Sequence, residues 1–316
     1  MATSNAVPQP LDDDSQSVTA PQPDAAPQPA PLRPLAEPER SPEVQAEVER
    51  IRSSEAYKDI SRDSALFFWL SLQRDSRSNG YVFGANFADL RKACQFYRMQ
   101  YVQRRGTLYK IPMPVTYVDV EQYGSPIDLL VAILESLGSP FAKIGLLRDM
   151  RSRTFGTLNS FGVKLLIIGY AECLSYEAYN ELLRLTRQLK ISVILAGSME
   201  LREILGNFVN RRSKRYGEIY NNFLDFHEYR AFEKSDIETL LESWENQVLS
   251  SWDQKLALKD IPDVPAFLYQ RCEGHAETLY EILRKIAIFK LDNPSHQLSK
   301  ADIENMVSRR TIPKRS

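Results

Sequence analysis

The period of the apolar positions changes along the chain, and each change marks an element. In SPEVQAEVERIRSSEAY (41–57), Val44, Val48 and Ile51 fall on one helical face, with Ser41 as cap and Pro42 at the first helical position. A second helix is expected over about 60–74, carrying Leu66, Phe67, Trp69 and Leu70. GYVF (80–83) reads as a short strand ending at Gly84, and a helical stretch runs from there to about residue 103. VTYVDV (115–120) is β-rich. Ser125-Pro126-x-Asp128 is a capping pattern that opens a helix of Leu129, Leu130, Ile133, Leu134 and Leu137, closed by Gly138.

Further on, VKLLII (163–168) and ISVILAG (191–197) are apolar without alternation, as expected of strands buried on both faces of a parallel sheet. Between them a helix over about 175–189 lines up Ala178, Leu182, Leu185 and Leu189. NNFLDFHEYRAF (221–232) reads as an edge or last strand. Beyond it the period is helical. Ser235-x-x-Glu238 reads as a capping box ahead of Ile237, Leu240, Leu241, Trp244 and Val248, and further helices are expected over about 264–272, 277–291 and 299–308. Two leading helices, alternating strand and helix, then an all-α segment define an α/β protein with a small helical appendage. Val82, Leu165, Leu166, Ile167, Ile168, Val193, Ile194 and Leu195 should lie on adjacent parallel strands.

Composition adds an uneven charge. Residues 1–44 hold seven acids against Arg33 and Arg40, a net −5, so the remainder of this −1 chain is +4. With its Pro, Ala and Gln content, APQPDAAPQPAPLRP offers little to bury, and residues 1–40 are expected to form a disordered acidic arm, a solvated tail rather than a docking motif. The three cysteines and three histidines are scattered, so neither a disulfide framework nor a metal site is expected. No apolar run approaches the length of a membrane helix and the N-terminus lacks the pattern of a signal peptide, which points to a cytoplasmic protein.

A strand, a glycine turn and a helix is the place for a phosphate loop of the form Gly-x-x-x-x-Gly-Lys-Ser/Thr, whose backbone N–H groups and lysine hold phosphates. Here the turn reads GANFADLR. Gly84 fits the first position, but Asp89 stands at the second glycine, Leu90 at the lysine and Arg91 at the hydroxyl. None of the 13 glycines precedes a lysine.

Four stretches in order carry a resemblance: FGVKLLIIGYAE, LKISVILAGS, FEKSDIETLLESWENQVL and EGHAETLYEILRKIAIFKL. Residues about 60–307 resemble the TnsC/TniB/MuB family of AAA+ transposition regulators, most like the short cyanobacterial TnsC type. The resemblance implies an α/β fold with an AAA+ P-loop-type parallel sheet core over 41–232, leading helices included, a C-terminal helical lid over 233–308, and a basic tail over 309–316. It maps the Walker B acids onto Gly169 and Tyr170, with Glu172 as the trailing acid, the sensor-1 hydroxyl onto Ser198, the Arg finger near Asn221 and the sensor-2 Arg onto Thr278. Phosphoryl transfer works through positioning and charge neutralisation. The resemblance therefore implies a pseudo-ATPase with no cofactor, a vestigial nucleotide site, and a role as adaptor or regulator in transposition target selection. The implied partners are an active TnsC-like ATPase, a transposase or a TniQ-like protein. A divergent but active ATPase using ATP and Mg²⁺ through Glu172 and Ser198 is the alternative.

Residues 90–110 carry Arg91, Lys92, Arg98, Arg104, Arg105 and Lys110 with no acid and with aromatics interleaved. Arg148, Arg151 and Arg153 form a second basic cluster, and Arg211, Arg212 and Lys214 belong to a third. These are candidates for the backbone of double-stranded DNA, which the family's rings or filaments wind upon. A solvated helix face over core aromatics is the equally weighted alternative.

Overall fold

The computed structural model describes residues 40–102, 112–120, 124–206 and 216–308. The expected arm, apart from Arg40, and the expected basic tail fall outside them. Five strands form one parallel sheet in the order β2-β3-β4-β1-β5: β1 Gly80–Gly84, β2 Val115–Asp119, β3 Leu165–Gly169, β4 Ser192–Gly197 and β5 Asp225–Tyr229. Val82 lies opposite Ala196 and Ile167 opposite Ile194, so GYVF and LLII share the sheet as expected.

The unbroken apolar runs follow from burial on both faces. Tyr81, Phe83, Leu166, Ile168, Val193 and Leu195 pack on α4 (Pro126–Ser136), α6 (Tyr176–Leu189) and α7 (Met199–Gly206) through Leu129, Ile133, Ala178, Leu182 and Leu201. Val82, Leu165, Ile167, Ile194 and Ala196 pack on α2 (Ser61–Ser76) and α3 (Phe87–Gln100) through Leu66, Leu70, Leu90 and Ala93. Every residue of the expected strand core is buried.

The C-terminal part is a separate apolar cluster of α9 (Ile237–Val248), α10 (Val264–Cys272), α11 (Ala276–Asp292) and α12 (Lys300–Ser308), with Trp244 buried in it. Buried Glu245 organises the long connection after α9 by accepting from the amides of Ala257 (2.9 Å) and Leu258 (3.0 Å). The first helix, α1 (Pro42–Arg52), packs here through Ile51 and not on the sheet. Arg40 pairs with Asp292 at 2.7 Å, and the Trp252 indole donates to Glu47 at 2.7 Å.

Local signals held to different degrees. The Ser41 cap and the Ser125–Asp128 box form as the sequence indicates. The box before α9 does not: it is Glu233 and Asp236 that close it, around a 3₁₀ turn at Lys234–Asp236, and Ser235 does not cap. The last strand is shorter than 221–232, because 217–222 is already helical (α8, Gly217–Asn222), with the Asn222 amide donating to the Glu218 carbonyl at 2.8 Å. The helix α5 (Leu147–Ser160) has no counterpart in the sequence reading. Its buried stripe is only Met150, Thr154 and Leu158, and Thr154 breaks the apolar pattern while satisfying its hydroxyl on the Met150 carbonyl.

Candidate functional site

The residues expected to mark a nucleotide site gather at the carboxyl ends of the strands, where open α/β sheets bind ligands. The local chain differs from a phosphate loop from its first residue on. Gly84 closes β1 under β5, and a Cβ there would stand 2.9 Å from the Tyr229 carbonyl. Only Ala85 and Asn86 separate the strand from α3. Asn86 caps that helix: its side-chain oxygen accepts from the amides of Ala88 (3.0 Å) and Asp89 (3.4 Å). The first-turn N–H groups, which would otherwise face an anion, thus have a partner within the chain. Leu90 is fully buried among the sheet-facing residues of α2 and α3.

Asp89 points away from the turn and is almost wholly buried. Its carboxylate accepts from the Arg62 guanidinium (2.8 Å) and from the amides of Ala276 and Glu277 (both 2.8 Å), the first two residues of α11. Thr278 follows on the same helix, half-buried.

Arg91 holds Asp119, at the end of β2, through two hydrogen bonds of 2.9 and 2.7 Å, which raise the guanidinium pKa against the opposing effect of burial. Asp119 also accepts from the Tyr117 hydroxyl at 2.6 Å, and burial pushes that phenol up. Both groups fill the space beside Gly169. A Cβ on Gly169 would overlap the Tyr117 hydroxyl and lie 2.5 Å from Asp119 Oδ1 and 2.8 Å from Tyr117 Cζ. Tyr170 sits in the left-handed region (φ 55°), which costs a non-glycine residue roughly 1 kcal/mol. Its half-exposed ring packs on Phe87, with centroids 4.5 Å apart, over the β1–α3 turn.

Glu172 lies in the single 3₁₀ turn after β3 and reaches the end of β4. One carboxylate oxygen accepts from the Ser198 amide at 3.0 Å; the other, Oε2, is buried and has no hydrogen-bond partner. Ser198 caps α7 by accepting from the Glu200 amide at 3.2 Å. Asn221 is exposed on α8. Among the described residues no group of three or more His, Cys, Asp or Glu could hold a metal ion, and no helix is long and apolar enough to cross a membrane.

The basic candidates divide in two. Arg104, Arg105, Arg211, Arg212 and Lys214 lie outside the described residues. Within them, folding supplies acids that the local sequence lacks: Asp119 for Arg91, Glu277 for Lys92, and Glu181 for Arg151 in a two-pronged pair at 2.7 Å. Arg153 donates to the carbonyls of Phe141 and Ile144 (2.7 Å to the latter), pinning the α4–α5 loop. Arg98 is half-buried on α3, with its Nε atom inaccessible and without a hydrogen-bond partner.

Sequence reasoning missed Arg62, Asn86, Tyr117 and Asp119. Asn86 carried a readable signal, since Asn-Phe-Ala-Asp is a capping pattern before an apolar helix. Arg62 and Tyr117 carried none, because their partners are 27 residues away for one and, for the other, an acid two residues on whose role only the fold defines.

A family model for an AAA domain (AAA_22) matches residues 76–205. No curated protein matches the chain. Among solved structures, the Aeropyrum pernix ORC2 protein in its ADPNP–ADP complexes is 12% identical, covering 85% of this chain and 72% of that one, with a TM-score of 0.58. Cdc6p from Pyrobaculum aerophilum is 14% identical over 85% of this chain and 72% of that one (TM-score 0.57). The Aeropyrum pernix ORC1 protein in complex with DNA is 14% identical over 83% and 68% (TM-score 0.54). The fold is thus of the AAA+ type: a parallel α/β core followed by a helical lid.

Proposed function

We propose that this chain acts by contact and not by hydrolysis, as a catalytically inactive TnsC-like AAA+ subunit that serves as adaptor or regulator in the choice of DNA targets for transposition. One observation supports the reading: the chain's own side chains occupy the positions where the resemblance expects a nucleotide site. Asn86 satisfies the first-turn amides of α3, Leu90 is buried in place of a lysine, and Tyr117 and Asp119 occupy the space a Walker B side chain at Gly169 would need. These residues do not fit a magnesium-bound triphosphate, and no hydrolytic step is assigned to them. The elements around the site are nonetheless well capped and tightly packed, as a scaffold kept for binding would be.

Double-stranded DNA is the first partner to test, because similar folds include an ORC1 protein in complex with DNA and a Drosophila ORC bound to DNA. With Arg91, Lys92, Arg151 and Arg153 engaged within the chain, the backbone contacts fall to Arg98, Arg104, Arg105, Arg211, Arg212 and Lys214. Protein partners follow from the resemblance: an active TnsC-like ATPase, a transposase or a TniQ-like protein. The test is to add the chain in increasing dose to an intact TnsC-like ATPase, its transposase and duplex DNA. Filament length, ATPase rate or transposase recruitment should change with dose, and DNA binding should weaken steeply with salt as counterions are released. The reading fails if all three are unmoved and the chain binds neither DNA nor a transposition protein.

A second reading, a divergent active ATPase, is favoured by the orphaned Glu172 Oε2 beside Ser198. It requires turnover that is lost in Glu172→Ala.

A further inference from the structure

A phosphate at a helix N-terminus is held by backbone N–H groups and the helix dipole. In this chain the N-terminus of the long lid helix α11 has no cap of its own: His275, at the cap position, makes no side-chain hydrogen bond to it. The acceptor comes instead from α3. Asp89, whose side chain is 2% exposed, gives one oxygen to the Ala276 amide and the other to the Glu277 amide, both at 2.8 Å, across 187 and 188 residues of sequence.

Its charge is balanced as a bound anion's would be. Arg62, from the first turn of α2, donates to the same carboxylate at 2.8 Å and continues to the Arg230 carbonyl at 3.1 Å, with its guanidinium over the Tyr229 ring (4.6 Å to the centroid). A second pair flanks the first. Glu277 meets Lys92 of α3 and Arg284 of α11, and Arg284 also donates to the Ser54 carbonyl at 3.1 Å. The lid helix, the core helices α2 and α3, and the connection after α1 are thereby joined through one buried carboxylate and its neighbours.

We propose that Asp89 is a built-in anion that latches the lid onto the core, taking the place of a phosphate at the α11 N-terminus. The core–lid angle is therefore set by the chain itself and does not respond to ATP. This rests on the reading of the site as closed to nucleotide, and the experiment separates the two.

The experiment is amide hydrogen exchange on the full chain, followed in peptides covering 60–64 and 274–280 and in the strand peptides as controls. In the wild type, 274–280 should be strongly protected, and magnesium-ATP should not alter it. In Asp89→Gly, exchange in 274–280 should quicken by about tenfold or more, the equivalent of one lost charge-assisted hydrogen bond, while β3 and β4 stay unchanged. Millimolar inorganic pyrophosphate should slow that exchange again in Asp89→Gly and leave the wild type unaffected. If Asp89→Gly does not fold, Asp89→Asn carries the same readout, because its amide nitrogen cannot accept from a backbone N–H. The latch is overturned if a folded variant exchanges in 274–280 as the wild type does, and its likeness to a phosphate is overturned if pyrophosphate restores nothing. If magnesium-ATP alters wild-type protection while Asp89→Gly still loosens 274–280, the closed-site reading falls together with the insensitivity to ATP, and the Asp89 contact alone stands as a latch.

Discussion

Gly169 offers the sharpest test of whether the site is closed by packing. A carboxylate side chain cannot simply be placed there. Even the single Cβ of Gly169→Ala would overlap the Tyr117 hydroxyl and approach Tyr117 Cζ at 2.8 Å and Asp119 Oδ1 at 2.5 Å. Neither neighbour gives way cheaply. Tyr117 is 4% exposed within the cluster under α2 and α3, and Asp119 is tied to Arg91. Overpacking of this kind costs about 1–3 kcal/mol. For a folded unit of this size that is roughly 2–4 °C of Tm per kcal/mol, so a drop of about 4–8 °C is expected at the middle of the range. Tyr117→Val removes the ring while keeping a β-branched residue in the strand, and is itself destabilising through the cavity it leaves. In that background Gly169→Ala should cost at least about 1 kcal/mol less than in the wild type, the remainder being the Asp119 contact, a coupling of the size seen for residues in direct contact. Calorimetric Tm and urea denaturation of the four proteins provide the cycle. A Gly169→Ala protein melting within about 1 °C of wild type, or a cycle with no coupling, would refute the packing account.

Three further outcomes follow. Asn86→Ala removes the α3 cap and should cost about 1 kcal/mol, read as a lower urea midpoint with unchanged slope. Arg151→Ala should destabilise the fold by about 1.5–3 kcal/mol, because buried Glu181 loses its two-pronged partner and keeps only Arg184 at 4.0 Å, and should leave DNA affinity unchanged. Glu47 is held down to about 2, chiefly by its hydrogen bond from Arg50, with burial opposing and Trp252 assisting. Because its folded pKa lies below the ordinary 4.5, its stabilising contribution is complete above that value and is lost as pH falls toward about 2. The Tm difference between wild type and Glu47→Gln should therefore be greatest near neutrality and narrow through that window.

Much of the architecture was legible because it rests on short-range pattern. Doubly buried strands give runs such as LLII and SVILAG, and Ser41 and Ser125 cap helices within four residues of themselves. What escaped depends on distant partners. Arg91 and Arg151 look like unpaired cations in sequence because Asp119 and Glu181 lie 28 and 30 residues away. Asp89 reads as a lost glycine until α11 is folded against it. The helix α5 was invisible because its buried stripe includes a threonine.

If the chain's own side chains close the site at the carboxyl ends of the strands, titration with magnesium-ATP shows it most directly. A ligand at 100 times its Kd stabilises the folded state by about 2.7 kcal/mol, so a site with a Kd near 10 μM would raise Tm by roughly 5 °C or more at 1 mM ATP. Calorimetric titrations with ATP and ADP should be flat and the Tm unchanged. Saturable heat with a micromolar Kd, accompanied by that rise in Tm and lost in Glu172→Ala, would contradict it.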